Sequence, residues 1–192
     1  MTAKDAGRVI AGVARGIRLE APGSDTRPMA DRVKQTLFAI LDPGLPGARV
    51  LDLFAGSGAA GLEALSRGAA HVTFIERSPG AATVIATNLA RTRLGGPRAR
   101  IVRAEALTWL AGPDSTNSEP FDVVILDPPY AEVALLAASL DALGPILAPG
   151  ARVVAKHFWR DPPPAAIGLL ASERERRFGE TTLTFYRRQE DR

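Results

Sequence analysis

An apolar run, Phe121-Asp122-Val123-Val124-Ile125-Leu126, stops abruptly on Asp127-Pro128-Pro129-Tyr130. The first proline restricts Asp127 to an extended conformation, and neither proline carries a backbone N–H. Such a segment offers a patch of acceptors beside a ring: the Asp127 carboxylate, the Pro128 carbonyl and the face of Tyr130. These groups suit a planar aromatic amine, whose N–H groups need acceptors and whose ring needs a stacking partner. Taken alone, the segment also reads as a strand-ending turn, because proline clusters punctuate strands.

A second constellation lies upstream. Val50-Leu51-Asp52-Leu53-Phe54-Ala55-Gly56-Ser57-Gly58-Ala59-Ala60-Gly61 is a short apolar strand running into a glycine-rich turn, and the acid Glu76 closes the next apolar run, His71 to Ile75. Gly56, Gly58 and Gly61 satisfy G-x-G-x-x-G with an acid about 20 residues on, so a dinucleotide site must be weighed. Asp52 speaks against a pyrophosphate, which it would repel from inside the strand. An acid there suits an ammonium group, and Glu76 suits a pair of ribose hydroxyls. A ligand carrying both adenosine and an amino-acid tail meets those demands, which points to S-adenosylmethionine.

These groups need elements to hold them. Apolar strands are predicted at 49–54, 71–76, 99–103, 121–127, 151–156 and 182–188, and helices near 59–67, 79–93, 105–111 and 132–143. Strands alternating with helices predict a parallel sheet covered on both faces. Residues 172–178 and 182–188 are too close for a crossover helix and predict an antiparallel hairpin at the sheet edge. Residues 8–20, with Gly12 and Gly16, predict a short hairpin, and Val33, Leu37, Phe38 and Leu41 give 31–41 the spacing of an amphipathic helix. In open α/β sheets ligands bind beyond the carboxyl ends of the strands. Asp52, Glu76, Asp127 and the residues after Val102 all fall there. Ala104 offers a backbone N–H, and Glu105 reads equally as a ligand contact or as a helix-start acid favoured by the macrodipole. Pro113 to Pro120 reads as a polar surface loop, and Trp109 as a core residue. Lys156-His157-Phe158-Trp159-Arg160 mixes basic and aromatic groups as nucleic-acid surfaces do, while its lone histidine also suits a structural role.

Composition narrows the classes. The chain has 192 residues, the size of one ordinary domain, and no cysteine, so disulfide frameworks and thiolate metal sites are excluded. His71 and His157 are its two histidines, far apart in sequence, and a metal enzyme is not expected. No apolar stretch suggests a signal peptide or a membrane span, so a cytoplasmic protein is expected. The net charge is +3, and through residue 41 Lys4, Arg8, Arg15, Arg18, Arg27, Arg32 and Lys34 face Asp5, Glu20, Asp25 and Asp31. The positive excess therefore sits in the amino-terminal segment, as a footprint for phosphates would.

The order of these motifs resembles a class I methyltransferase of the amino-methylating kind. Three further segments resemble the RsmD family: Arg8-Val9-Ile10-Ala11-Gly12 with Ala14-Arg15-Gly16, Thr26-Arg27-Pro28 with Asp31 to Phe38, and Phe178-Gly179-Glu180-Thr181. The resemblance runs from about residue 8 to 188. Met29-Ala30 departs from the two hydroxyl residues usual in the family, and Lys156 from a frequent glutamate. It implies a Rossmann-like α/β fold, a mostly parallel sheet with an antiparallel carboxyl-terminal edge hairpin and a short amino-terminal extension. It also implies methylation of the exocyclic N2 of a guanine in 16S ribosomal RNA, with S-adenosylmethionine as cofactor. The expected partner is 16S rRNA in an assembled or assembling small subunit, with the enzyme a monomer, no metal and no membrane. The expected division is a basic extension over 1–41 and a methyltransferase unit over 42–192.

Candidate catalytic residues are Asp127, Pro128, Pro129 and Tyr130. Candidate cofactor contacts are Asp52, Phe54, Ala55, Gly56, Ser57, Gly58, Gly61, Glu76, Arg77, Ala104 and Glu105. Candidate RNA contacts are Arg15, Arg18, Arg27, Arg32 and Lys34. The alternatives are a DNA adenine or cytosine N-methyltransferase, a nicotinamide oxidoreductase, and an inactive RNA-binding protein that keeps the cofactor.

Overall fold

A computed structural model describes residues 5–23, 29–116 and 118–189. Two short strands, β1 (Asp5–Arg8) and β2 (Arg18–Glu20), pair antiparallel and lead to helix α1 (Asp31–Leu41). The alternating part follows: β3 (Arg49–Asp52), α2 (Ala59–Ser66), β4 (His71–Ile75), α3 (Pro79–Thr92), β5 (Ala99–Val102) and α4 (Ala106–Leu110). After a short α5 (Pro113–Thr116) come β6 (Phe121–Leu126), α6 (Val133–Ala142), β7 (Leu147–Phe158), β8 (Ala166–Ile167), β9 (Leu170–Phe178) and β10 (Thr181–Arg188).

Eight strands form one sheet in the order β5-β4-β3-β6-β7-β10-β9-β8. The pairs from β5 through β7 are parallel, and β10 runs antiparallel to both β7 and β9. Successive residues of a strand point to opposite faces, and the sheet uses both. Val123 and Ile125 join Leu62, Leu65, Ile85 and Leu89 in a core under α1, α2 and α3. Val124 and Leu126 join Trp109, Leu110, Leu136 and Leu140 in a core under α4 and α6. Strands buried on both faces explain why their sequences are continuous apolar runs rather than alternating ones.

The amino-terminal hairpin is strapped to α2. Glu63, fully buried, accepts from the backbone N–H groups of Ile10 at 2.6 Å and Ala11 at 2.9 Å. Ser66 Oγ accepts from Ala14 N–H at 3.0 Å and donates to Ala11 carbonyl at 2.6 Å. Gly12 lies so close that a Cβ there would fall 1.8 Å from the Ser66 carbonyl oxygen. Ala6, Val9, Ala14 and Leu19 share one core with Leu62 and Leu65.

The carboxyl-terminal pair β9–β10 is the expected antiparallel edge hairpin, with β10 lying between β7 and β9 and a two-residue β8 extending the sheet beyond β9. One local expectation differs from the structure. The stretch from Pro113 contains helix α5 instead of loop alone, held by the buried Ser115 hydroxyl, which bonds to the carbonyls of Leu110 and Gly112 at 2.8 Å. Four residues are too few to show a helical period, so no sequence pattern announces this turn.

Candidate functional site

A cavity of about 770 Å³ opens along the carboxyl ends of β3, β4 and β6. It is lined by Asp52, Gly56, Glu76, Asp127, Tyr130 and Lys156, with Thr181 from the start of β10. The amino-terminal segment supplies a further wall through Ala6, Met29, Val33 and Lys34. Residues far apart in the chain thus meet on one rim, as doubly wound sheets require.

Glu76 follows β4, and each of its oxygens is already oriented. Oε2 accepts from Gly56 N–H and Oε1 from Ser78 N–H, both at 2.8 Å. The Ser78 hydroxyl in turn caps α3, accepting from Ala81 N–H at 3.3 Å, with Pro79 in the helix's first turn. A carboxylate oxygen has more than one lone pair, so this acid keeps acceptor capacity toward the cavity. Gly56 has φ 54°, and a Cβ built there would meet no atom within 4 Å. The backbone at this turn is bare, which permits close approach by a ligand.

Asp52 ends β3 with 1% exposure, and its Oδ2 accepts from Gly61 N–H at 2.9 Å. Burial raises its pKa to about 7 against the lowering by that hydrogen bond, with a further push from the charges of Asp127 and Glu76. A buried acid that ionises reluctantly gains from a cation beside it. The donor set therefore fits an adenosine with an ammonium-bearing tail: Glu76 for hydroxyls, Gly56 for close approach, Asp52 for the ammonium. Phe54, Ala55, Ser57, Arg77, Ala104 and Glu105 also line the cavity.

Not every glycine of the turn lines the cavity. Gly58 and Gly61 lie outside the cavity lining. Gly58 adopts φ 78° at the start of α2, and a Cβ there would sit 3.2 Å from Ile85. A Cβ on Gly61 would fall 2.2 Å from the Phe74 ring, so this glycine lets α2 pack on β4. The Ala104 N–H is not free for a ligand either, since it donates to the Glu76 carbonyl at 3.2 Å. Arg77 and Glu105 pair with each other at 3.8 Å, and Arg77 also reaches Glu132 at 3.5 Å.

At the other end of the cavity, Asp127 Oδ1 accepts from Lys156 Nζ at 2.5 Å. Burial raises the Asp127 pKa, and Lys156 opposes that rise by charge and hydrogen bond. Lys156 Nζ also lies 4.9 Å from the centre of the Tyr130 ring. The Tyr130 hydroxyl is 2.6 Å from Thr181 Oγ1, which fixes the ring from the opposite strand. Pro128 and Pro129 line the same wall. An acid, a strand-end proline pair and an anchored ring are thereby held together.

Sequence reasoning did not assign Lys156 to Asp127 or Thr181 to Tyr130. The available signal was the Phe178-Gly179-Glu180-Thr181 segment, whose last residue proves to be a cavity wall. Asn88 was also missed. Wholly buried, it donates to the carbonyls of Ser57 at 2.9 Å and Glu20 at 3.0 Å, tying the glycine turn to the hairpin. His157 is structural, with Nε2 at 2.8 Å from Thr184 Oγ1.

The basic residues expected to meet RNA divide. Arg15 and Arg32 are exposed. Arg18 is engaged by Asp5 across the hairpin. Lys34 is a correction: it is 1% exposed, and its Nζ donates to the Arg8 carbonyl at 2.5 Å. Burial lowers its pKa, opposed mainly by Glu63 and Asp31. Its ammonium is engaged within the cavity wall and is not displayed on the outer surface. Arg27 lies outside the described residues. Among the described residues no group of three His, Cys, Asp or Glu could hold a metal ion, and no helix is long and apolar enough to cross a membrane.

A family model described as "Conserved hypothetical protein 95" matches residues 7–187. "Putative rRNA methyltransferase YlbH" of Bacillus subtilis is 36% identical over 183 residues, covering 94% of this chain and 98% of the relative. "Ribosomal RNA small subunit methyltransferase D" of Haemophilus influenzae is 43% identical over 129 residues, 67% of this chain and 66% of the relative. The solved structure of "Putative methyltransferase yhhF from Escherichia coli" superposes with a TM-score of 0.84 at 35% identity, covering 95% of this chain and 97% of that one.

Proposed function

The chain belongs to the family of conserved hypothetical protein 95, the RsmD family, with the class I Rossmann-like methyltransferase fold, and from that premise we propose that it methylates the exocyclic N2 of a guanine in 16S ribosomal RNA. The observation that carries this reading is the meeting of Asp127-Pro128-Pro129-Tyr130 with Asp52 and Glu76 around one cavity. One end of it suits an adenosine with an amino-acid tail, the other a planar amine. Relatives named for small-subunit rRNA methylation support the RNA substrate and the 16S assignment. The setting is a small ribosomal subunit, assembled or assembling, in the cytoplasm. In this reading residues 1–41 and 42–192 act as one body, because the extension walls the cavity.

S-adenosylmethionine, the cofactor of this class, supplies an electrophilic methyl group on a sulfonium. Glu76 and Asp52 hold the ribose and ammonium ends. A base amine is a weak nucleophile because its lone pair is delocalised into the ring. Asp127 and the Pro128 carbonyl accept hydrogen bonds from that amine, localise the lone pair and fix its direction. Such positioning supplies a large share of a rate enhancement. Tyr130, held by Thr181, stacks on the base, which must leave its helix or come from an exposed loop. Asp127 takes the proton that the amine loses, a role favoured by a pKa raised above that of an ordinary carboxyl.

Mapping methyl groups at nucleotide resolution in 16S rRNA from cells with and without this protein tests the proposal. One N2-methylguanine is expected to disappear with the protein. Unchanged 16S rRNA with methyl groups lost from adenine or cytosine in DNA would overturn it.

A further inference from the structure

In the amino-terminal segment only part of the positive charge is left for a polyanion. Arg8 is paired with Asp31 at 3.3 Å, Arg18 with Asp5, and Lys34 is buried. Along β9 and just past β7, by contrast, Arg160, Arg174, Arg176 and Arg177 are exposed and make no ion pair among the described residues. Two of them converge on one ring. The Arg177 guanidinium lies 3.8 Å from the centre of Trp159, and that of Arg160 lies 4.9 Å away.

This cluster is connected to the reactive end of the cavity. Rings step from Tyr130 to Phe158 at 6.2 Å and from Phe158 to Trp159 at 6.3 Å. The Trp159 backbone N–H donates to the Glu180 carbonyl at 3.0 Å, and the next residue, Thr181, holds the Tyr130 hydroxyl. Arg177 Nε donates to the Gly179 carbonyl at 2.9 Å, which fixes the guanidinium against the ring. The β9–β10 turn thus carries both the anchor of Tyr130 and the base of the cluster.

We propose that Trp159, Arg160 and Arg177 form a docking track for single-stranded RNA flanking the target guanine. The proposal rests on the RNA-methylation reading above and adds where the RNA runs. Aromatic and guanidinium planes stack unpaired bases regardless of their identity, and free guanidinium groups beside them meet the backbone phosphates. The ladder from Tyr130 to Trp159 leads nucleotides next to the held base out along the sheet end. Duplex RNA hides its base faces within the stack, so the occupant is single-stranded.

The test uses the full chain, a short labelled single-stranded RNA, S-adenosylhomocysteine, and small ribosomal subunits, assembled and assembling, from cells lacking the protein as the source of 16S rRNA. Trp159→Ala and Arg177→Ala are each expected to weaken binding of the short RNA roughly 5- to 150-fold, the span of base–aromatic stacking. Arg160→Ala should lower the log–log salt slope by about 0.7, the value for one phosphate contact on a single strand. Trp159→Phe should retain most affinity. S-adenosylhomocysteine affinity should hold in all of them, and Arg98→Ala, exposed beside the opposite end of β5, should leave RNA binding unaltered. A cluster that only braces the hairpin would instead lower the melting temperature while RNA affinity and salt slope stay at parental values, and that result overturns the proposal. Should Trp159→Ala fail to fold, the exposed Arg177→Ala and Arg160→Ala decide the matter alone. Methyl transfer into 16S rRNA by the parent is the separate arm. A parent that methylates while its variants bind RNA unchanged sinks the track alone. A parent that leaves 16S rRNA unmethylated while its variants lose RNA affinity sinks the function alone.

Discussion

Asp52 and Asp127 face one cavity and burial raises the pKa of both, opposed at the first by a backbone hydrogen bond and at the second by a lysine. With a pKa of about 7, Asp52 is largely neutral at pH 6 and charged at pH 8. A ligand ammonium favours the charged form, so affinity for S-adenosylhomocysteine should strengthen as pH rises through about 7, with a proton released on binding. Calorimetry in buffers of different ionisation enthalpy reads that proton, and Asp52→Asn should bind weakly with no such dependence. The stability sign is opposite. The folded chain holds the Asp52 proton more tightly than the unfolded chain, so its contribution declines as pH climbs from about 4 towards 7. Asp52→Asn should therefore raise the melting temperature more at pH 8 than at pH 5. Tyr130 and Thr181 act as a pair. Tyr130→Phe and Thr181→Val should each lower kcat/KM by a few-fold, as for one neutral hydrogen bond of about 0.5–1.5 kcal/mol. The double variant should be no worse than either single change, whereas Tyr130→Ala, which loses the stacking ring, should fall much further. Additive losses would show that the two hydroxyls act separately.

At the scale of elements, the glycine turn does two jobs that one motif conceals. Gly56 bares the backbone to the cavity, while Gly61 seats α2 on Phe74. Gly61→Ala should cost about 1–3 kcal/mol through overpacking and show a lower melting temperature. A folded remainder should keep S-adenosylhomocysteine affinity, and its loss at unchanged stability would return Gly61 to the ligand. This difference also explains how much the sequence could disclose. Strands and their order along the chain were legible because apolar runs end on Asp52, Glu76 and Asp127, acids that a strand interior would exclude. The pairing of Lys156 with Asp127 was not legible, since it depends on β7 lying beside β6 in a register that local pattern does not encode. Lys34 misled for a related reason. A cation on an amphipathic helix reads as solvated, and only the folded hairpin over α1 supplies the Arg8 carbonyl that buries it. Neighbours in space, absent from neighbours in sequence, decide such residues.

Over the whole molecule, a net charge of +3 says less than where the free cations stand. In the amino-terminal segment Arg8 and Arg18 are engaged in ion pairs and Lys34 is buried, which leaves Arg15 and Arg32 as its exposed unpaired cations among the described residues. Arg32→Ala should weaken RNA binding modestly and reduce the log–log salt slope by about 0.7–0.9, with the methylated nucleotide unaltered, because phosphate contacts position without reading sequence. A lower melting temperature at an unchanged slope would assign Arg32 to holding α1 in place.

The insertion of β10 between β7 and β9 has a consequence for how the molecule is made. A ribosome delivers β9 before β10, yet β9 meets β7 only through the strand that follows it. Until residue 188 has emerged, the nascent sheet ends at β7, whose backbone N–H and carbonyl groups along residues 152–158 stand unpaired as a template for other chains. Translation that halts after Phe178 would thus release a product with a sticky margin and, lacking Thr181, an unanchored Tyr130. Clearance of such fragments by proteases, rather than residual activity, would be the fate to look for in cells.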